Sequence, residues 1–476
     1  MHCGMRWIVL SCCLSGFVST GHAQSPDQTN QQAREILKQL IEINTTDSVG
    51  NVTTASEAMA KRLRESGFPE KDVIVAGPTV RKKNLVVRLH GTGRRKPILF
   101  IGHLDVVEAK REDWTTDPFE FIEKDGFFYG RGTEDMKEGD AILVLNFIRL
   151  KREGFVPDRD LILALTADEE GGDYNGVDWL LKEHRDWIDA EYCINLDGGE
   201  FERQKGKRLV AGLQASEKVY ADFQFESLNP GGHSSVPSPD NAIYHLAGAL
   251  SRLQPFSFPV EASEITRNYF ERYAALSTGQ TAADMKAVAK QPPDKAAVER
   301  LSANPYYNSL LHTTCVATML SGGHAPNALP QTASANVNCR IFPGEDPEDV
   351  RKTLESVAAD PKVAVTVVPE KTADGHLIPL VTVPPSPLLP ELTTAMEKTL
   401  AAMWPGVPLV ATMSTGASDG KFMRIAGIPT YGISCMFFDM DDDRSHGKDE
   451  RVGVQDFYDG VDFNYKLIKE LSSLRQ

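Results

Sequence analysis

The chain has 476 residues, which exceeds the usual size of a single hydrophobic core, so at least two domains are expected. Hydrophobic residues make up 41% and charged residues 25% of the sequence, as in ordinary globular proteins. The formal net charge of −15 argues against nucleic acid and other polyanions as partners, since it leaves no basic face to bind them.

The N-terminus has the organisation of an export signal. Arg6 supplies a short basic start, residues 7–18 are largely apolar, and small residues lead up to Ala23. We expect residues 1–23 to be a signal peptide cleaved after Ala23, which predicts a periplasmic or secreted protein. The apolar part is too short for a good membrane span, and no other segment has eighteen continuous apolar residues. It is also very short ahead of Cys12, which argues against a lipid anchor at that residue.

The first half of the chain alternates between helix and strand patterns up to about residue 199. Apolar residues have helical spacing over residues 31–43 and 54–67, with Thr53 or Thr54 as the predicted cap of the second helix. Apolar runs such as ILFIG and LILAL then indicate buried strands. This alternation predicts a doubly wound, mostly parallel sheet.

Groups that can bind a metal ion follow three of these predicted strands. His103 and Asp105 follow the first apolar run, Glu169 and Glu170 follow the second, and Asp197 follows YCINL. Open α/β sheets build their sites at the carboxyl ends of strands. The three strand ends therefore predict a site that contains acids and an imidazole.

Two further candidates lie in loops. Asp135 lies in a glycine-rich loop before the helical segment AILVLNFIRL, and His446 lies late in the chain, beside the predicted strand IPTYGIS. Each candidate has an ordinary structural explanation when it is taken alone, such as a turn cap or the N-terminal acid of a helix. Their joint occurrence at three strand ends, a loop and a late histidine is an improbable accident. We interpret the set as a two-metal hydrolase.

The character of the sequence changes after about residue 214. KVYADFQFES and ASANVNCRIF alternate apolar and polar residues as half-exposed strands do, and VAVTVV is a third strand. NAIYHLAGALSRL and PEDVRKTLESVAAD have helical spacing. These patterns predict a small α+β unit.

Four of the seven cysteines lie beyond the predicted signal peptide: Cys193, Cys315, Cys339 and Cys435. Four cysteines allow three full pairings in an oxidising compartment. Cys193, Cys339 and Cys435 lie in apolar strand-like runs, where single buried thiols are common. No disulfide is therefore assumed.

The segments that carry the candidate residues resemble the dizinc exopeptidase family that includes aminoacylase, bacterial glutamate carboxypeptidase, succinyl-diaminopimelate desuccinylase and yeast carboxypeptidase S. The matching stretches span about residues 102–451 and are GHLDVV, WTTDPF, GFFYGRGTEDMK, ADEEGG, NLDGG, GGHSS, NALPQ, CRIFPGE, GASDG and RSHGKDER. Glu134, Asp135, Met136 and Lys137 stand where the family commonly has Asp-Asp-Lys. This variant and the long segment 256–311, which resembles an enlarged lid, favour the carboxypeptidase S-like group.

The resemblance implies a dinuclear zinc centre with Co²⁺ or Mn²⁺ as alternatives. It implies these ligands: His103 and Asp197 on one ion, Glu170 and His446 on the other, and Asp135 bridging both. Asp105 is expected to orient His103 and to raise its basicity, and Glu169 to act as general base. Amide hydrolysis at neutral pH needs an activated water molecule, which such a metal pair supplies.

The resemblance also implies residues that contact the substrate. A histidine in a glycine turn is often only an exposed loop residue, but by resemblance His233 donates to the oxyanion, often in the neighbouring subunit's active site. Arg340 could merely pair with Glu345, whereas the resemblance assigns it, with Asn327, to the substrate carboxylate. The same pocket is expected to be lined by Gly416 and Ser418.

The expected fold is an α/β catalytic domain in two parts, residues 24–214 and 381–476, with a ferredoxin-like α+β lid or dimerisation domain inserted at residues 215–380. The expected activity is hydrolysis of a peptide or an N-acyl amino acid that has a free C-terminal carboxylate, as a carboxypeptidase or an aminoacylase. A homodimer would form through the lid.

The sequence disfavours two other functions. A serine hydrolase using Ser234 or Ser418 with His233 is disfavoured because the chain has no GxSxG motif. A metal-binding protein without catalytic activity would be expected to lack the base, but Glu169 is present.

Overall fold

The structure is a computed structural model that describes residues 26–371, 377–378 and 380–473. The predicted signal peptide and Cys12 lie outside the described residues. No helix within these ranges is long and apolar enough to cross a membrane.

The helices begin and end as follows: α1 Pro26–Ile41, α2 Val52–Glu65, α3 Lys137–Arg152, α4 Gly176–Glu183, α5 Arg185–Ile188, α6 Ala242–Leu253, α7 Glu264–Ala274, α8 Gly279–Val288, α9 Lys295–Ser302, α10 Pro305–Leu311, α11 Pro347–Ala358, α12 Pro390–Met403, α13 Gly420–Ile425 and α14 Val454–Ser472.

The strands begin and end as follows: β1 Val73–Ala76, β2 Asn84–Leu89, β3 Arg95–His103, β4 Ile122–Lys124, β5 Phe127–Tyr129, β6 Arg159–Thr166, β7 Tyr192–Asn195, β8 Phe201–Gln204, β9 Lys207–Glu217, β10 Val219–Leu228, β11 Gly232–His233, β12 Thr314–Gly322, β13 Ala328–Leu329, β14 Thr332–Ile341, β15 Val363–Val368, β16 Glu370–Lys371, β17 Leu377–Ile378, β18 Leu409–Ser414, β19 Thr430–Gly432, β20 Phe437–Asp439 and β21 Arg451–Gly453.

A large mixed sheet organises most of the fold. Its strand order is β1-β2-β6-β3-β7-β19-β9-β8-β20, and β18 pairs with β9. The central strand β3 runs parallel to β6 and β7, and β7 runs parallel to β19. At one edge β1 and β2 are antiparallel to each other, and β2 is antiparallel to β6. The predicted α/β fold class is confirmed, with its parallel pairing in the middle of the sheet.

Side chains of the central strands alternate between two layers of helices. Along β3, Ile98 and Phe100 join the core that contains α1, α3 and α14, whereas Leu99 and Ile101 join the core that contains α4, α5 and α13. All four side chains are buried. A strand covered on both faces needs a continuous apolar run, which explains why β3 lacks the alternation of a half-exposed strand.

The two N-terminal helices are found close to their predicted positions, but the predicted cap of α2 is wrong. The side chain of Asn51 accepts the N–H of Thr54 at 3.3 Å, so Asn51 rather than Thr53 or Thr54 is the cap. Asn51 has an extended backbone, and asparagine is among the strongest N-cap residues.

A second sheet has four antiparallel strands in the order β12-β14-β10-β15. Helices α6 and α11 pack on it and form a separate core around Phe223, Phe225, Leu246 and Leu354. This strand order, reached through a strand-helix-strand-strand-helix-strand path, is the ferredoxin-like α+β arrangement that was expected. The exact domain boundaries stay predictions.

The helices α7–α10 interrupt this α+β unit but do not belong to its core. Ile265, Tyr269 and Phe270 of α7 pack into the core of the large sheet, where α7 lies against β18. The segment 256–311 was expected to enlarge the lid. In the structure its helices α7–α10 join the core of the large sheet instead, because the apolar stripe of α7 faces β18.

The cysteines show why a buried thiol is hard to classify from sequence. The register between β12 and β14 places Cys315 directly opposite Cys339, and the two form a disulfide. Cys193 and Cys435 are free and buried. The sequence left the state of these cysteines open, because strand register decides the pairing and is not visible in the local sequence.

Candidate active site

Five of the predicted metal ligands form two overlapping groups. His103, Asp135 and Asp197 form one group, and Asp135, Glu170 and His446 form the other. Within each group, one ligand atom from each residue lies within 4.8 Å of the others. The two groups share Asp135, so a single carboxylate reaches both positions.

The Asp135 carboxylate contacts one imidazole with each of its oxygens. Its Oδ1 lies 3.1 Å from Nε2 of His103, and its Oδ2 lies 3.0 Å from Nε2 of His446. His446 Nε2 also lies 2.9 Å from a carboxylate oxygen of Glu170. The Asp135 carboxylate thus lies between the two imidazoles, and Glu170 lies beside the imidazole of His446.

His103 is fixed at the end of β3 by close packing. Its Nδ1 lies 3.0 Å from the backbone carbonyl of Asp105, which leaves Nε2 to face Asp135. A Cβ on the preceding Gly102 would lie 2.4 Å from Asp140 Oδ1, so only glycine allows α3 to approach this strand end. The imidazole itself is buried.

Asp105 has a different contact from the one expected. Its carboxylate lies 3.8 Å from His103 Nδ1, too far for a hydrogen bond. It accepts instead the backbone N–H groups of Glu169 and Glu170, at 3.2 and 2.9 Å. The carboxylate therefore holds the loop after β6, and the contact with His103 comes from the Asp105 backbone.

The buried side chain of Lys82 also supports the loop after β6. Lys82 forms an ion pair with Asp168, the residue before Glu169, and a second with Asp47 at 2.7 Å. Asp168 has a left-handed backbone, with φ of 57°, and its side chain accepts the N–H of Tyr174. These contacts fix a strained residue directly beside the predicted base.

The loop that carries Asp135 is built around Glu450. This fully buried carboxylate accepts the backbone N–H groups of Gly132, Glu134 and Asp135, and it pairs with Arg131 at 2.6 Å. The loop wraps around the acid, which aims the Asp135 side chain at the two histidines.

The loop that carries His446 is attached to the Asp135 loop by contacts of Arg131 and Glu134. Arg131 donates to the backbone carbonyl of Gly447 at 2.8 Å, and Glu134 accepts the N–H of Arg444 at 2.8 Å. His446 itself has a left-handed backbone, with φ of 59°. Segments from distant parts of the chain are thereby joined at the site.

Burial and mutual repulsion perturb the acids of the site. Burial raises the pKa of Glu169 and of Asp197 well above the ordinary range. Hydrogen bonds to Asp135 and Glu170 raise the pKa of His446 to about 10. Although burial opposes it, the two imidazoles hold the pKa of Asp135 below its ordinary value. The two imidazoles contact Asp135 and Glu170, and divalent cations bound there would replace protons on these rings.

This donor set fits a pair of divalent cations. Each group offers imidazole nitrogen and carboxylate oxygen, the mixture that suits zinc and also cobalt or manganese. With three ligands in each group, a coordination position remains for water or substrate. The shared Asp135 would offset the repulsion between the ions.

A cleft of about 710 Å³ reaches the centre. Its wall contains Glu169, Glu170 and His446 together with Arg340. Glu169 belongs to neither ligand group, so its carboxylate remains available for proton transfer. The cleft thus brings a half-buried acid and a cationic side chain to one face of the candidate metal ligands.

Arg340 and the segment 416–419 line that cleft. The guanidinium lies over the ring of Tyr220 at 4.8 Å, and it donates to the carbonyl of Thr415 at 3.4 Å. Gly416 and Ser418 also line the cleft, but the Ser418 hydroxyl donates to Glu217 at 2.8 Å. Glu345, the alternative partner expected for Arg340, accepts from the Thr313 hydroxyl instead.

His233 and Asn327 lie together outside the cleft lining. The strands β11 and β13 pair beside them, and Ser234 donates its N–H to the carbonyl of Asn327 at 3.1 Å. The ring of His233 is exposed, and its Nδ1 is contacted by Ser235. Within one chain these two residues are therefore not brought to the metal ligands.

Several residues that build the site were not found from the sequence. Arg131 and Glu450 stand in GRGTEDMK and GKDER, beside predicted ligands, but their side chains could equally be solvated charges. Lys82 lies in the unremarkable run RKKN, and Asp419 in GASDG is buried and accepts from Thr166 and Asn175. Burial of a charged residue is the signal that identifies them, and only the structure provides it.

The comparisons with known proteins agree with this geometry. The family described as Peptidase family M20/M25/M40 matches residues 99–470. Human N-fatty-acyl-amino acid synthase/hydrolase PM20D1 is 26% identical over 400 residues, covering 79% of this chain and 74% of that protein. Probable carboxypeptidase S-like 2 of Dictyostelium discoideum is 26% identical, covering 79% of this chain and 71% of that protein.

Solved structures share the fold. An M20 family metallo-carboxypeptidase from Sulfolobus solfataricus has a TM-score of 0.66 at 15% identity, covering 92% of this chain and 99% of that one. The YXEP protein of Bacillus subtilis, described as a dinuclear metal-binding peptidase of the M20 family, has a TM-score of 0.58 at 12% identity, covering 93% of this chain and 98% of that one.

Replacement of Glu450 tests its part in building the site. We expect Glu450→Gln to lower the free energy of unfolding by about 3 kcal/mol, because it leaves the buried Arg131 unpaired. It should also reduce the metal content, because a neutral amide replaces the charged carboxylate that accepts the N–H groups of the Asp135 loop. Calorimetry and elemental analysis measure the two effects. Asp449→Asn, which alters only exposed contacts with Thr115, is the control and should cost under about 1 kcal/mol. Equal behaviour of the two variants would contradict this role.

Proposed function

The chain belongs to peptidase family M20/M25/M40, and from that premise we propose that it is a dinuclear zinc hydrolase, with cobalt or manganese as alternatives, that cleaves the amide bond of a small peptide or an N-acyl amino acid with a free C-terminal carboxylate. The observation that carries this proposal is the Asp135 carboxylate, which faces one imidazole with each oxygen beside a half-buried Glu169 that belongs to neither ligand group.

The chemistry divides between the ions and the protein. When bound, two divalent cations would lower the pKa of a water molecule and polarise the scissile carbonyl. His103, Asp197, Glu170 and His446 would hold them, and Asp135 would serve both.

Glu169 is proposed to move the proton. Its raised pKa, caused by burial, suits a group that takes a proton from water and then gives it to the leaving nitrogen. The N–H bonds to Asp105 and the Lys82–Asp168 pair keep its loop in place. Such positioning matters because proton transfer needs hydrogen-bond distances.

Arg340 is proposed to bind the substrate's free carboxylate. It lines the same cleft as Glu169, and a planar guanidinium can donate two parallel hydrogen bonds to a carboxylate. This preference would make the enzyme an exopeptidase or an aminoacylase. The similarity to PM20D1 and to carboxypeptidase S-like proteins supports both substrate classes.

A homodimer is proposed to complete the site. The edge strand β12 exposes Val316, Met319 and Leu320, which are 61%, 71% and 73% exposed. Unpaired edge strands with apolar side chains favour pairing with another chain. A second copy would then bring His233, which lies outside the cleft of its own chain, to the oxyanion.

Export is proposed for the chain. The pattern of residues 1–23 supports it, as does the Cys315–Cys339 disulfide, since such bonds persist in oxidising compartments.

The role of Glu169 can be tested on the zinc-loaded full chain. Dipeptides and N-acyl amino acids are offered as substrates, and release of the free amino acid is measured. We expect Glu169→Ala to lower turnover by about 10²–10⁴-fold, because the proton acceptor is lost, while elemental analysis still finds the metal bound. Glu271→Ala, on the exposed face of α7, is the matched control. Normal turnover by Glu169→Ala would overturn the assignment.

The role of Arg340 can be tested by removing the substrate charge. Methylation of the C-terminal carboxylate of a cleaved dipeptide should lower kcat/KM at least about thirtyfold, because the guanidinium is left without its partner. For Arg340→Met the acid and its ester should be cleaved at similar rates. Arg272→Met, at an exposed site on α7, should keep the full discrimination. An ester cleaved as fast as the acid by the unaltered enzyme excludes this role.

Sharing of His233 between subunits can be tested by mixing two inactive variants. Glu169→Ala and His233→Ala chains are unfolded and refolded together in equal amounts. If each site takes its histidine from the partner, half of the dimers are mixed and one of their two sites is intact, so about a quarter of the activity returns. No recovery would mean that each chain uses its own His233 or none.

A further inference from the structure

A second cavity reaches the metal ligands from a side other than the cleft. It has a volume of about 280 Å³, and we call it the acidic pocket. It contacts Asp135 and Asp197, whereas the cleft contacts Glu170 and His446, and the two cavities share no lining residue. An amide bound at the ligand cluster would therefore have one side toward each cavity.

The charge of the acidic pocket is of one sign. Beyond the two predicted ligands it is lined by six further carboxylates: Glu134, Glu138, Glu200, Glu202, Asp439 and Asp443. No lysine, arginine or histidine of the described residues lines it. Four of these acids have partners. Glu134 accepts the backbone N–H of Arg444, Glu202 accepts from Tyr273, Asp443 accepts from Ser445, and Asp439 lies 3.8 Å from Arg203.

One carboxylate oxygen of Glu138 lacks such a partner. Its side chain is only 3% exposed, and its Oε2 has no hydrogen-bond partner among the described residues. An unpaired buried carboxylate is costly, so an acid that persists there has a ligand or function to explain it. Of the acids in this pocket, it is the one that lies buried and unsatisfied.

The walls around Glu138 are apolar. Met136, Leu196 and Phe201 line the pocket and are buried, whereas Glu200 and Asp443 are exposed at its mouth. A cavity with apolar walls, a buried acid and further acids at the entrance matches a side chain with a methylene stem and a cationic end.

We propose that the acidic pocket binds a lysine-like side chain of the residue on the acyl side of the scissile bond, with its ammonium group against Glu138. This inference rests on the proposed function and deepens it. The cleft binds the leaving residue by its carboxylate, and the acidic pocket selects the acyl residue by its positive charge. The preferred substrates are then short peptides with a basic residue before the C-terminal one.

The test compares two dipeptides that differ only in the terminal ammonium group, lysyl-leucine and norleucyl-leucine. With the zinc-loaded full chain we expect lysyl-leucine to have a kcat/KM at least about tenfold higher. Glu138→Gln should remove this preference by lowering kcat/KM for lysyl-leucine alone. Its metal content should be unchanged, which separates loss of the subsite from loss of the metal centre.

Glu200→Gln provides a second variant at the exposed mouth, where folding is not at risk, and should reduce the preference about threefold. Glu397→Gln, exposed on α12, is the control. Binding without turnover is measured by titrating Glu169→Ala with both dipeptides, and lysyl-leucine should bind at least about tenfold more tightly.

The outcomes separate the two proposals. If neither the dipeptides nor N-acyl amino acids are hydrolysed, the proposed function fails, and the titrations still decide whether the acidic pocket recognises a cation. If both dipeptides are hydrolysed and bound within twofold of one another, the function stands and this inference fails. In that case the acids serve only to balance the charge of the metal centre.

Discussion

The site depends on one buried ion pair, Arg131 with Glu450. The two residues are 319 positions apart, and both are almost completely buried. Glu450 gathers the N–H groups of the Asp135 loop, while Arg131 holds the carbonyl of Gly447 beside His446. A bridging carboxylate and a histidine from the far end of the chain are thereby placed within 3.0 Å of each other. The bond from the Arg444 N–H to Glu134 adds a second connection between the two loops.

Buried charged residues also support the loop that carries Glu169 and Glu170. Asp105 and the pair of Lys82 with Asp168 fix the loop of Glu169 and Glu170. Buried charges of this kind rarely add net stability, since their desolvation offsets their attraction. Their value lies in geometry, because ligands for two cations must be set to within a fraction of an ångström.

The sequence predicted the elements and the ligand positions better than the contacts between them. The strand before His103 and the helix after Asp135 have local apolar patterns, so both could be predicted. The neighbours of Asp105 could not, because its carboxylate turns toward the loop after β6 rather than toward the histidine two residues before it. The Cys315–Cys339 bond depends on strand register, and the packing of α7 depends on which sheet its apolar stripe meets. Such choices are made between segments distant in the chain. The catalytic and substrate roles of the site residues stay predictions.

The placement of α7–α10 has a consequence for how the ferredoxin-like unit can move. A simple insertion would be tethered to the catalytic sheet by two stretches of backbone. Here the chain leaves the ferredoxin-like unit after α6, and its helices α7–α10 join the core of the large sheet. The chain returns to the ferredoxin-like unit at β12 and leaves it again after β15. Four stretches of backbone instead of two therefore join the ferredoxin-like unit to the rest of the fold. These four tethers narrow the range of rotations that the unit can make. Any rigid-body swing between open and closed states must follow a path that all four tethers permit.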